Sequence, residues 1–257
     1  MAAFREARRQ GVSAIETDFH ETSDQTLVVM HDGKVDRMTD GKGEISHMTA
    51  ADVARLKIKG DHAVPTADDV LSFAHDNNLF VDCEIKCPDN PGVEKRIAAK
   101  IRQHEMGEHV VITADEPGFL QRMKTEMPEA PTGLVMRAKP LYKPTAMLAA
   151  GGAVLGGVAA ALTGVPLVAG AVVGLVTVGG AAFHFIKRHL QNKGLNQGSD
   201  HLMPHWLLVD KHLVQKAAAQ GREVVPYGVN GEARGERLQR LGVYGLITDY
   251  PERFTTQ

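Results

Sequence analysis

Short runs of apolar residues, several of them alternating with polar ones, repeatedly give way to stretches with helical spacing. MAAFREARRQG puts Ala3, Phe4 and Ala7 on one side of a helix that ends at Gly11. SAIETDF and TLVVMHD follow as strand candidates. TAADVARLK begins with a capping threonine, and PTADDVLSFAHDNN adds a leading proline and early acids, so both read as helices. LFVDCEIK, HVVITAD and TGLVM read as strands, separated by the helices GVEKRIAAKIRQHEM and EPGFLQRMKTEMP. Further along come a strand HWLLV, a helix VDKHLVQKAAAQG, a strand EVVPYGV, a helix ARGERLQRLG and a strand YGLITD. Alternating β and α units predict an α/β fold built on a parallel sheet, and their number favours closure into a barrel.

One stretch breaks this rhythm. Between Lys143 and Lys187 lie 43 residues without a single Asp, Glu, Lys or Arg. That is about two spans of roughly 20 residues, the length a bilayer core demands. Gly164 and Pro166 fall near the middle, and the small residues on either side suit two closely packed membrane helices. The expected division is therefore a barrel over 1–143 and 187–257, with a membrane-inserting helical hairpin over 144–186. Lys139 and Lys143 precede the stretch, and Lys187, Arg188 and Lys193 follow it. Basic residues on both flanks place the barrel on the cytoplasmic side of the membrane.

Bulk composition changes this picture little. The 257 residues carry a net charge of −2, so no basic surface points to nucleic acid. Hydrophobic residues make up 43% of the chain, enough for a sizeable core. Two cysteines, Cys83 and Cys87, form no disulfide framework and match no common zinc spacing. The N-terminal arginines are not followed by an apolar run, so this end is not expected to be a signal peptide.

The chemistry lies in the strands. Residues two apart on a strand face the same side. Glu16 and Asp18 therefore share a face, as do Asp82, Glu84 and Lys86. In a parallel barrel, acids near the C-terminal strand ends converge on the mouth, where such barrels hold their sites. Glu16, Asp18 and Glu84 would then form an all-oxygen metal site suited to magnesium or calcium rather than zinc. His31 ends the next run and could transfer protons near neutral pH. Lys86 is a cation beside the carboxylates that could hold a phosphate, or pair with the acids alone.

Read in order, AIETDFHETSDQTLVVMHDGKVDRMTDGKGEISHMT resembles the glycerophosphodiester phosphodiesterase family. The resemblance rests on Glu16-Thr17-Asp18, His31-Asp32, Arg37, Thr39, Gly41 and Gly43. AVPTADDVLSF, CEIK and the closing VNGEARGERLQRLGVYGLITDYP extend it over nearly all the chain except Pro144 to about Gly198. It implies a (β/α)8 TIM barrel that hydrolyses glycerophosphodiesters to an alcohol and glycerol 3-phosphate with a divalent cation. It also implies Glu16, Asp18 and Glu84 as metal ligands, His31 as an acid–base residue, and Lys86, Arg37 and Tyr227 as substrate contacts. The family's pattern opens with a His-Arg-Gly strand ahead of the helix that begins here at Met1, so the barrel is expected to lack its first strand. The uncharged stretch follows the family's fifth strand, on the catalytic face, which favours a substrate near a membrane lipid surface: a glycerophosphodiester or a lysophospholipid. Lysophospholipase D-like or phospholipase C-like cleavage, and a membrane-bound binding protein, are the competing readings.

Overall fold

The computed structural model describes residues 1–58, 60–138 and 183–255. Helix α1 (Ala2–Arg9) leads into β1 (Ala14–Glu21) and β2 (Leu27–Val29). A short excursion follows, with α2 (Ala50–Ala54) and a two-stranded ribbon of β3 (Lys57–Ile58) and β4 (His62–Ala63). Then come α3 (Ala67–Asp76), β5 (Phe80–Ile85), α4 (Val93–Gln103), β6 (Val110–Ala114), α5 (Pro117–Glu126) and β7 (Thr132–Met136). Beyond the gap in description stand α6 (183–195), β8 (His201–Pro204), α7 (Lys211–Ala218), β9 (Glu223–Val224) and α8 (Glu232–Arg240).

The main sheet has seven described strands in the order β2-β1-β5-β6-β7-β8-β9, and every neighbouring pair except β1–β2 is parallel. Successive βα units thus lay each strand beside the last, as short right-handed crossovers require. The YGLITD segment, expected as a strand, forms none, but it runs beside β9 through backbone hydrogen bonds. Tyr244 N donates to Val224 O at 3.0 Å and Ile247 N to Pro226 O at 2.9 Å. The parallel α/β architecture expected from the alternating pattern is the observed one.

Local chemistry explains the helix starts. Thr49 with Asp52, and Thr66 with Asp69, form reciprocal capping boxes that satisfy the first orphan N–H groups. Asp210 accepts from Leu213 N at the start of α7. On α4 the buried residues are Val93, Ile97, Ala98 and Ile101, a stripe of helical period against the sheet. All five residues of β7 are buried, as a parallel strand covered on both faces should be. Gly133 in β7 is needed for space: a Cβ there would meet Thr113 Cγ2 at 2.7 Å.

Two further expectations are corrected. HWLLV is not a strand. The ladder uses His201–Pro204 one step earlier, and Trp206–Leu208 turn into a 3-10 helix whose start is capped by the His205 ring accepting from Leu207 N. The apolar side chains at 207–209 pack inward from that turn rather than from a strand. EVVPYGV is extended only briefly, because the β8–β9 ladder itself ends at Val224.

The hairpin expected over 144–186 lies, up to residue 182, outside the described residues. Among the described residues no helix is long and apolar enough to cross a membrane. Helix α6 runs through the 186/187 boundary and is tied to the sheet domain. Gln191 is fully buried and donates to Leu208 O at 2.6 Å, and Lys187 pairs with Asp210 at 3.2 Å.

Candidate active site

Strand register assembles the acids. In the parallel β1–β5 pair, Glu16 stands opposite Asp82 and Asp18 opposite Glu84. In-register residues of neighbouring strands share a face, so four carboxylates from two strands face one space. The opposite face of β5 carries Val81, Cys83 and Ile85, all buried in the core. Cys83 is thus a packing residue, and burial pushes its thiol well above the ordinary range.

One carboxylate oxygen from each of Glu16, Asp18 and Glu84 lies within 4.8 Å of the others. Oxygens bound to one hard divalent ion, about 2.0–2.6 Å from it, span at most roughly 5 Å, so this donor set fits magnesium or calcium. The structure therefore brings together all three residues that the sequence singled out as ligands.

Two cations hold this cluster together. Lys86 Nζ lies 2.7 Å from Asp18 Oδ1 and also pairs with Glu84 Oε1. Arg137, just beyond β7, reaches the same Glu84 Oε1 at 3.1 Å through Nη2 and Asp115 Oδ2 at 2.7 Å through Nε. Burial alone would depress the Lys86 ammonium, but Glu84 and Asp18 outweigh it and raise its pKa. Even so, the acids exceed their counter-charges. Burial, reinforced by Asp18, Asp82 and Glu84, lifts Glu16 well above the usual carboxylate range. Burial likewise pushes Asp82 up to about 7, against the opposing hydrogen bond that Thr113 Oγ1 donates to Asp82 Oδ1 at 2.6 Å.

His31 sits beside this cluster rather than in it. Its ring is mostly exposed, with Nδ1 2.7 Å from Asp32 Oδ1. Arg37 donates to both Asp32 oxygens, at 2.6 and 3.0 Å, and with His31 holds that carboxyl far below its ordinary pKa. Arg37 is thus fixed on Asp32 at the rim. Fixing Nδ1 orients the imidazole and leaves Nε2 for other chemistry. His20 links this rim to the acids: its Nε2 is 3.5 Å from His31 O, and burial lowers its pKa, favouring the neutral ring. Tyr227 follows β9. Its hydroxyl donates to Met136 O at 3.5 Å, and its ring meets His205 edge-on at 5.3 Å.

An open cleft of about 680 Å³ adjoins Lys86, lined among others by His20, Asp32, Lys34 and Asn90. Glu21, on the wall of the cleft, is committed elsewhere, to Arg96 and to Asn90 Nδ2 at 2.7 Å. Arg137 and Asp115 were not singled out from sequence. The available signal was their position, directly after the strands HVVITA and TGLVM.

Fold and site together define a parallel α/β domain of barrel type, with an oxygen-only donor set and two cations at the C-terminal ends of its strands. The family model described as "Glycerophosphoryl diester phosphodiesterase family" matches residues 1–253. The glycerophosphodiester phosphodiesterase of Bacillus subtilis is 27% identical over 275 positions, covering 98% of this chain and 78% of the relative. That of Caldanaerobacter subterraneus subsp. tengcongensis is 26% identical, covering 98% of this chain and 88% of the relative. Among solved structures, an Oleispira antarctica phosphodiesterase in complex with the product sn-glycerol-3-phosphate superposes with a TM-score of 0.67 at 20% identity, covering 98% of this chain and 87% of that one. A glycerophosphodiester phosphodiesterase from Thermotoga maritima gives a TM-score of 0.66 at 14% identity over 98% of this chain and 88% of that one. The chain belongs to the glycerophosphoryl diester phosphodiesterase family of hydrolases and shares the barrel fold of these neighbours.

Proposed function

We propose that this protein hydrolyses glycerophosphodiesters to an alcohol and glycerol 3-phosphate, with a divalent cation held by Glu16, Asp18 and Glu84. The observation that carries the reading is the meeting of those three carboxylates with Lys86 at the strand ends, in a chain of this family. When bound, a divalent ion supplies charge neutralisation for the phosphoryl oxygens. The chain's own residues supply the rest. Lys86 draws the anionic phosphate in, and its short pairing to Asp18 fixes where it does so. His31, oriented by Asp32, exchanges a proton through Nε2. Tyr227 bounds the space on the β9 side.

The decisive experiment measures glycerol 3-phosphate release from glycerophosphocholine by the purified protein, with and without chelator. Chelator-sensitive release supports the reading. Release that survives both chelation and the change Glu16→Ala overturns the metal-site part, and no release in magnesium or calcium favours a binding protein.

The finer part of the proposal is action at a membrane surface, on glycerophosphodiesters or lysophospholipids there, with the barrel on the cytoplasmic side. It is supported by the uncharged stretch 144–186 and by Phe183 and Phe185, 40% and 75% exposed at the start of α6. Removing residues 144–182 should spare turnover of soluble glycerophosphocholine and weaken that of vesicle-borne lysophospholipid. Equal loss of both would refute a membrane role.

A further inference from the structure

Two cations converge on one oxygen of this site. Glu84 Oε1 is contacted by Lys86 from its own strand and by Arg137 from the end of β7. The second cation is held in a way the first is not. Its Nε edge is tied to Asp115 Oδ2 at 2.7 Å, while Nη2 reaches Glu84. A guanidinium carries five N–H donors in one plane. Two bonds to the described carboxylates leave donors over, on a head group only one-third exposed at the mouth.

We propose that Arg137 is a second phosphate-binding cation of this site, contacting the non-bridging oxygens of the phosphodiester and of a phosphomonoester product, with Asp115 as its positioning residue. The proposal rests on the phosphodiesterase reading above. Its physical basis is competition for one oxygen. A carboxylate that ligates a divalent ion gives up charge to it, so its ion pair with Arg137 weakens. The planar fork of the guanidinium then finds a better match in a phosphate held beside Lys86. Asp115 is not among the three acids grouped as ligands, so it keeps Arg137 at the mouth throughout. A purely neutralising arginine behaves differently. Its removal changes how the acids bind a divalent ion and leaves phosphate affinity alone.

The test titrates inorganic phosphate and glycerol 3-phosphate into the full chain at saturating magnesium by calorimetry, and separately titrates magnesium itself. Arg137→Gln should raise the Kd of both phosphates, and the KM for glycerophosphocholine, by about tenfold, the loss expected for one charged hydrogen-bonded contact. Arg137→Lys should recover part of this, since it restores charge without the fork. Asp115→Asn should raise KM less than Arg137→Gln, and it provides a second reading should Arg137→Gln fold poorly. The inference is overturned if Arg137→Gln changes the magnesium Kd while the phosphate Kd stays at the wild-type value, or if Asp115→Asn leaves KM unmoved. A wild type that binds phosphate through Arg137 but releases no glycerol 3-phosphate supports this inference and defeats the phosphodiesterase reading instead.

Discussion

The two ends of the sheet handle charge in opposite ways. At the N-terminal ends of β7, β8 and β9 the buried or half-buried charges Asp200 and Arg222 are held mainly by backbone and hydroxyl groups. Asp200 accepts from Thr132 N at 2.8 Å, from Thr132 Oγ1 at 3.1 Å and from Lys124 Nζ at 3.0 Å. Arg222, only 9% exposed, donates to Gly194 O and Leu195 O at 3.3 Å each and to Ser199 Oγ at 2.5 Å, capping the C-terminus of α6. On one face of β1 and β5, rising from Glu16 and Asp82 to Asp18 and Glu84 toward the C-terminal ends, four acids crowd together against two cations, and Glu16 and Asp82 are driven upward in pKa. The lower end spends its charges on holding the chain. The upper end keeps an excess of negative charge that folding alone does not require, and such frustrated groups mark functional sites.

The sharpest way to break this contrast is to remove an acid at the mouth. Glu84→Ala should lower kcat/KM for glycerophosphocholine by at least about a hundredfold, more than loss of an outer-sphere partner costs. Thermal denaturation of the metal-free protein should meanwhile show little loss of stability. A variant that melts much lower yet keeps its activity would make Glu84 a structural residue and erase the distinction between the two ends.

The next largest effect belongs at the lower end. Arg222→Met takes the charged donor away from the Leu195 carbonyl and the Ser199 hydroxyl, while the Gly194 carbonyl keeps only Gln197 N. The expected cost is about 2–3 kcal/mol of stability, read from denaturant unfolding, because buried acceptors lose a charged partner. Activity per folded molecule should stay at the wild-type level. A loss of kcat/KM with unchanged stability would show that α6 and the lower end of the sheet feed into catalysis.

Sequence made the upper end legible and left the lower one obscure, for a physical reason. Glu16, Asp18, Glu84 and Lys86 sit at a spacing of two on strands, a period that fixes their face before any tertiary contact is known. The capping threonines Thr49 and Thr66 announced their helices in the same local way. Arg137 could not be read, because its meeting with Glu84 depends on β7 lying just one strand beyond β5's neighbour β6. Arg222 sits in QGREVV with nothing to mark its burial, since its partners are backbone carbonyls 27 and 28 residues away. HWLLV misled because an apolar run has the same composition in a strand and in an inward-facing 3-10 turn.

The smallest expected effect tests the crowding itself. Asp82 lies opposite Glu16 in the β1–β5 register, buried, with its carboxyl pushed up to about 7. An unfolded aspartate loses its proton near pH 4 or roughly there, so between about 4 and 7 the folded protein binds the extra proton. Stability contributed by that proton is fully present below the unfolded value and is lost as pH rises toward 7. Asp82→Asn removes the titration while its Oδ1 can still accept from Thr113. In chelator at pH 8 the variant should melt about 2–4 °C above the wild type, the shift that roughly 1 kcal/mol produces in a domain of this size. At pH 4 the gap should close, and at pH 8 magnesium should narrow it, because a cation on Glu16, Asp18 and Glu84 relieves the field that Asp82 feels. If Asp82→Asn instead melts lower at pH 8, Asp82 is an ionised, well-partnered acid like Asp200, and the two ends of the sheet treat charge alike.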